Sequence, residues 1–377
     1  MRRSALLVVC LTVFVDLLGF TMILPSLPFF AAGLGATGLW FGALMTAYSL
    51  AQFVAAPVLG RLSDRYGRRP VLLVTLAGSA VSLALTGLAD TLWWLLAARV
   101  LAGLFGGAIA VAQAYVGDAV PPERRTAAMA GLGAATGMAF IVGPAIGAAL
   151  GSWGLSGSAY AAAGVAVVNL AFAAFLLPEP TRTAPPAQPG RESDRRVRLL
   201  AGAQFLAMAA FVGMETTLAF LGRATFGWDA TQLGLVLAAA GLAMSLVQMG
   251  PVTALAARWG EAKVAALGAA VMLTAMVAIP FVPEVWCVVA VCVLAAGHGV
   301  MTPAATSLLA ACGPAERQGA RMGIGQAAQA AARAVGPAGA GVLFDVGTAV
   351  PYLAGAALAG LTAASVLAAG DADRVPT

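Results

Sequence analysis

Charge is what this sequence most lacks. Only 10% of its 377 residues are Asp, Glu, Lys or Arg, against about 25% in an ordinary soluble domain, while 61% are hydrophobic and the mean hydropathy is +0.91. No water-soluble fold hides that much apolar surface. Reactive side chains are also few, with a single histidine, His298, and four cysteines, Cys10, Cys287, Cys292 and Cys312. The cysteines fall in apolar runs without metal-ligand spacing, which speaks against a disulfide framework and makes them core thiols. A phosphate-binding loop, a metal cluster and a nucleophile triad are all missing, so nothing calls for a cofactor or a metal. An enzyme or an ATP-driven pump is unsupported on the same ground.

What is present is length in apolar runs. A bilayer span needs about 20 mostly apolar residues, so the chain divides into about twelve spans, with no room for a soluble catalytic domain. Runs bounded by Gly, Pro and charge predict spans near 4–29, 38–60, 70–89, 92–117, 127–152 and 156–177, then 199–222, 229–256, 264–282, 285–311, 320–343 and 349–369. Arg2 and Arg3 before the first run could open a signal peptide, yet the run is too long for a signal core and is read as an uncleaved first span.

The basic residues set orientation. Eighteen of the 21 lie in alternate connections or at the termini: Arg2, Arg3, Arg61, Arg65, Arg68, Arg69, Arg124, Arg125, Arg182, Arg191, Arg195, Arg196, Arg198, Arg258, Lys263, Arg317, Arg321 and Arg374. Positive charge stays on the cytoplasmic side, so both termini are expected there. That scatter over loops, rather than one patch, argues against nucleic acid as the partner behind a pI of 9.4.

The stretch 179–198 breaks the apolar pattern with Pro185, Pro186, Pro189 and five arginines and reads as a linker between residues 1–178 and 199–377. The two halves repeat. Arg65-Tyr66-Gly67 matches Arg258-Trp259-Gly260, Pro121-Pro122-Glu123-Arg124 matches Pro314-Ala315-Glu316-Arg317, and Gly143-Pro144-Ala145 matches Gly336-Pro337-Ala338, all at an offset of 193 residues. The expected fold is therefore all-α, a polytopic membrane protein with twelve transmembrane helices in two six-helix bundles. Parallel repeats of this kind place a substrate site between the halves near the bilayer midplane.

One connection is rich in charge: Gly60-Arg61-Leu62-Ser63-Asp64-Arg65-Tyr66-Gly67-Arg68-Arg69-Pro70. Its glycines permit close approach to a neighbouring helix, Asp64 can accept hydrogen bonds at a helix N-terminus, and the arginines can pair with acids or lipid phosphates. The segment resembles the cytoplasmic signature of the major facilitator superfamily. Asp16-Leu17-Leu18-Gly19 through Pro25-Ser26-Leu27-Pro28 looks like the first helix of drug/proton antiporters, the tetracycline exporters in particular. Arg99-Val100-Leu101-Ala102-Gly103 resembles the fourth-helix arginine motif with Ala102 where Gln is common. Gly137 with Gly143-Pro144-Ala145-Ile146-Gly147 resembles the fifth-helix antiporter motif with Ala148 in place of a Gly. The resemblance implies a gate built from Gly60, Asp64, Arg65, Gly67, Arg68 and Arg69, with Asp118 pairing with Arg68, and a bending helix at Gly143, Pro144 and Gly147. In the second copy Thr253 and Ala257 stand where Gly60 and Asp64 do in the first.

An ionised carboxylate at a helix centre costs about 2.5–3.5 kcal/mol on insertion scales, so acids inside spans are informative. Asp16 lies in span one and Glu215 in span seven, and a carboxyl group changing its protonation there is what proton coupling requires. A fixed ion pair of Asp16 with Arg99, or a Glu215 close to outer water, is the structural alternative. Arg99 and Arg333 keep their charge and must be paired or face water: Arg99 is read as tuning an acid, Arg333 as touching substrate or docking the other half. His298 could join a proton path or pack through a hydrogen bond. Tyr48, Gln52 and Gln113 are placed on the cavity by the resemblance, or serve as interhelical glue.

The chain thus reads as a proton-coupled exporter of small apolar or amphipathic compounds, monomeric, in a bacterial inner membrane. An importer of the same fold and a transport-inactive scaffold or receptor are the alternatives. The expected substrate-facing residues are Tyr48, Gln52, Gln113, Met244, His298 and Arg333. Tetracycline exporters typically carry Asp, His and Asp where this chain has Ser82, Met244 and Met272, so a charged metal chelate is an unexpected cargo.

Overall fold

The computed structural model describes residues 3–120, 122–180, 195–249, 251–312 and 318–371. Much of the linker, and the matched pair of loops at Pro121 and 314–317, therefore lie outside the described residues. Prolines and glycines decide where the long apolar runs break. The first run is two helices, α1 (Arg3–Ile23) and α2 (Leu27–Gly33), divided at Pro25, because proline has no N–H to donate and crowds the preceding turn. Next, α3 (Gly38–Tyr66) continues through the charged motif and stops only at Gly67, whose φ of 103° no side-chain-bearing residue adopts readily.

After α4 (Arg68–Gly87), the expected span 92–117 divides into α5 (Leu92–Phe105) and α6 (Ala108–Ala119) around Gly106-Gly107. Then follow α7 (Pro122–Ala149) with Pro144 inside it, and α8 (Gly154–Leu176).

The second half repeats this order with α9 (Arg195–Phe226), α10 (Ala230–Gln248), α11 (Pro251–Trp259), α12 (Glu261–Ala278), α13 (Glu284–Ala311), α14 (Gln318–Val346) and α15 (Val350–Asp371). The duplication is visible in backbone detail. Gly260, the counterpart of Gly67, also has a positive φ, 82°, ahead of α12, and Pro337, the counterpart of Pro144, sits inside α14. The expected span 229–256 is two helices, because Pro251 starts a new one.

Eleven stretches among the described residues are long and apolar enough to cross a bilayer, so this is a multi-pass membrane protein. With 29 residues α14 has the length, but Arg321, Gln326, Gln329, Arg333 and Asp345 dilute its apolar character.

The chain divides into two compact units. Met1–Ala36, Ala47–Pro186 and Trp228–Ala238 form the first; Thr37–Thr46, Ala187–Gly227 and Ala239–Thr377 form the second. In the first, α1 packs along α7 and α8 at backbone distance: a Cβ on Gly143 would lie 1.8 Å from Thr21 Oγ1, and one on Gly147 would lie 2.3 Å from the Met22 carbonyl. Small residues serve here because lipid gives no hydrophobic drive between helices, and dispersion at close range replaces it. Val9, Val13, Leu72, Leu76, Val111 and Tyr115 fill the core below.

In the second unit α12 lies on α13 through facing glycines, with Gly268 aimed 2.7 Å from the Gly297 carbonyl if it carried a Cβ. The opening turns of α3 join this unit along α14. A Cβ on Gly42 would meet the Pro337 carbonyl at 2.4 Å, Thr46 Oγ1 accepts from Ala338 N at 3.1 Å, and the Asp345 carboxylate accepts from Gly38 N and Leu39 N, both at 2.9 Å.

Candidate functional site

Three polar assemblies interrupt the apolar packing. The first surrounds Arg68, which is buried at the start of α4. Its Nη2 pairs with Asp64 Oδ1 at 2.7 Å, its Nε donates to Asp118 Oδ2 at 2.7 Å, and its Nη1 donates to Ser63 Oγ at 2.6 Å. Asp64 is not at a helix N-terminus, because α3 runs past it to Tyr66. Glu179 takes that role for α4, accepting from Arg68 N at 2.6 Å and Arg69 N at 2.9 Å. A carboxylate there answers both the unpaired amides and the positive end of the helix dipole. Gly67 leaves room for it, since a Cβ would lie 2.7 Å from Glu179 Oε1. Arg69 donates to the Ala174 carbonyl at 2.5 Å, while exposed Arg65 lies over the Tyr66 ring and Gly60 faces open space.

The second assembly lies inside the first unit. Asp16 on α1, Phe20, Tyr48 on α3, Ser79 and Ser82 on α4, and Arg99 on α5 converge on one cavity of about 30 Å³. That is room for two or three water-sized groups, at about 10–15 Å³ each. Asp16 bonds to the Ser79 side chain, and Arg99 Nη2 donates to Thr86 Oγ1 at 3.0 Å. A fixed Asp16–Arg99 ion pair is not formed: both line the cavity, but they lie beyond the 4.0 Å of a salt bridge. Phe20 stacks on Tyr48 at 4.7 Å, and Gln52 donates to the Gly106 carbonyl, which the break between α5 and α6 frees. Gln113 stands exposed on α6, away from this cavity.

The third assembly lies inside the second unit. Arg333 on α14 interacts electrostatically with Glu215 on α9 and with His298 on α13, and its Nη1 donates to Met208 Sδ at 3.7 Å. His298 is buried, stacks on Phe211 at 4.5 Å, and meets Thr302 Oγ1 at 3.3 Å through Nε2. Below it a chain of neutral groups continues. Thr306 Oγ1 donates to the Thr302 carbonyl at 2.8 Å, Gln204 donates to Thr306 Oγ1 at 3.2 Å, and Gln329 donates to Gln204 Oε1 at 3.1 Å.

The sequence reading missed Gln204, Thr306 and Gln329, although the two glutamines inside apolar runs were a usable signal. Met244 packs on Gly299. Met272 is fully buried against Gly297, so it forms packing and not a cavity wall.

Comparison with known proteins agrees with this architecture. The family model described as Major Facilitator Superfamily matches residues 9–337 and 200–374. The class C tetracycline resistance protein of Escherichia coli is 32% identical over 81% of this chain and 81% of its own, and the class G protein of Vibrio anguillarum is 33% identical over 85% of each. Among solved structures, the human organic anion transporter MFSD10 (TETRAN) superposes with a TM-score of 0.73 at 26% identity, covering 97% of this chain and 99% of its own. A bacterial homolog of the human lysosomal transporter Spinster has the same fold, with a TM-score of 0.79 at 16% identity over 98% of this chain and 97% of its own.

Proposed function

Because this chain belongs to the major facilitator superfamily, we propose that it is a proton-coupled secondary transporter that exports a small apolar or amphipathic compound by alternating access. One observation carries the reading: each unit holds a carboxylate inside an apolar helix, accompanied by an arginine, Asp16 with Arg99 and Glu215 with Arg333. Charge placed there is too costly to be incidental. A carboxyl group that gains or loses a proton in such a place changes the electrostatics of its whole unit, which lets a pH gradient bias conformation. Outward transport is supported by the relatives named for tetracycline resistance, which match more than four-fifths of the chain.

Arg68, Asp64 and Asp118 act as the cytoplasmic latch in this reading, and α7 bends at Gly143-Pro144. Tyr48, Gln52, Met244, His298 and Arg333 are the substrate-facing residues of this reading, and exposed Gln113 is left out of it. Orientation with both termini cytoplasmic is supported by the arginine-rich connections. The test is pH-driven flux in proteoliposomes, with susceptibility profiling of an efflux-deficient bacterium to find a substrate. Outward flux that follows an imposed proton gradient supports the reading; flux indifferent to that gradient would sink it.

A further inference from the structure

The Arg99 guanidinium has no exposed surface, yet among the described residues only its Nη2 is engaged, by the Thr86 hydroxyl at 3.0 Å. Its Nε and Nη1 have no protein partner. Both ion pairs among the described residues belong to Arg68, so no carboxylate compensates Arg99 at contact distance. A guanidinium does not shed its charge and presents five donors, and buried donors left without acceptors cost free energy. Yet Arg99 lines a cavity, and the walls of that cavity are specific. Asp16 on α1 turns to Ser79, α3 contributes Tyr48, and α4 contributes Ser79 and Ser82. The remaining lining residues, among them Leu83, Ala102 and Ile109, are neutral.

We propose that this cavity is a binding site for a small monovalent anion such as chloride, held by Arg99. Two observations select that class. The free donors are cationic, so a metal ion is repelled. The cavity, about 30 Å³, has room for two or three water-sized groups, which keeps the ligand small.

Asp16 is the competing anion, and Arg99, Asp16 and Tyr48 are the ionisable groups lining the cavity. Halide occupancy and an Asp16 that has taken up its proton therefore favour one another. The site goes beyond the transport reading and does not depend on it, because binding is measured without flux.

The experiment is equilibrium binding of radioactive chloride to the purified full chain in detergent, with gluconate holding ionic strength constant. The wild type is expected to bind chloride saturably at one ion per chain. Ser82→Asp places a carboxylate in the same cavity and is expected to weaken binding at least tenfold, whereas Ser82→Asn, nearly the same size and neutral, stays within about threefold of wild type. Arg99→Gln removes the cation and is expected to abolish binding. If that variant does not fold, the Ser82 pair decides alone, with size-exclusion profiles certifying both. Absent saturable binding in the wild type, equal binding by the Asp and Asn variants, or equal loss in both would overturn the proposal.

Discussion

Asp16 and Glu215 sit where an ionised acid is expensive, and each has a neutral neighbour or a cation to hand: Ser79 for Asp16, Arg333 for Glu215. Asp16→Asn and Glu215→Gln keep shape and hydrogen bonding but cannot exchange a proton. Substrate-induced proton release from purified protein is expected to vanish for Asp16→Asn and to fall by at least half for Glu215→Gln; unchanged release in both would remove these acids from the coupling path. The neutral chain of Gln204, Gln329 and Thr306 makes a different demand. Gln204→Leu leaves the buried Gln329 amide without its acceptor, at about 1–3 kcal/mol, so a clear drop in melting temperature is expected, and a melting temperature equal to wild type would contradict the network. The acids were legible in the sequence because a charge stands out in any apolar window. The chain of amides and hydroxyls was not, because its members are 102 and 125 residues apart, and which side of each helix faces which neighbour is decided by packing.

At the scale of the helix, the charged motif is two elements and not one loop. Helix α3 carries Asp64 in its last turn, Gly67 reverses the backbone, and Arg68 opens α4 under the carboxylate of Glu179. The motif's residues could be read from the sequence, but the cap could not, since Glu179 arrives from 111 residues away. The two acids on Arg68 differ in exposure, 63% for the Asp64 side chain and 14% for that of Asp118. An exposed pair contributes about 0–1 kcal/mol, whereas removing one partner of a buried pair costs about 3–5 kcal/mol. Asp64→Asn should therefore fold and insert normally while transport slows several-fold, and Asp118→Asn should lose both stability and transport. Thermal unfolding beside vesicle flux separates them: equal melting temperatures for the two variants would refute the assignment of the buried partner. The same reasoning applies where α3 begins. Gly42→Val cannot be accommodated 2.4 Å from the Pro337 carbonyl, and should lower the yield of folded protein more than Asp345→Asn, which keeps a hydrogen-bond acceptor at the α3 N-terminus.

Across the whole molecule the balance of charge bears on what can be carried. Each interior site matches one carboxylate with one arginine, Asp16 with Arg99 and Glu215 with Arg333, so neither offers the net negative charge that a metal chelate would seek. A divalent ion is held by several oxygen ligands, with carboxylates supplying the charge. Ser82 contributes a hydroxyl to its cavity, Met244 contributes a thioether beside Gly299, and Met272 is sealed into the α12 and α13 contact. Thioethers favour soft, apolar partners over hard cations, and the stacked Phe211 and His298 rings add a flat apolar face. An uncharged or singly charged aromatic compound suits such walls. Expression in an efflux-deficient bacterium is therefore expected to change tetracycline susceptibility by no more than about twofold, with no dependence on added magnesium, and to raise tolerance to less polar aromatic compounds by a larger factor. Restoring an acid should move the balance: Ser82→Asp pairs Arg99 internally and leaves Asp16 as net negative charge, so this variant gains tetracycline tolerance over wild type if charge balance selects the cargo. A magnesium-dependent rise in tetracycline resistance from the wild-type chain would refute the argument at its root, because it would show a chelate accepted by two charge-neutral sites.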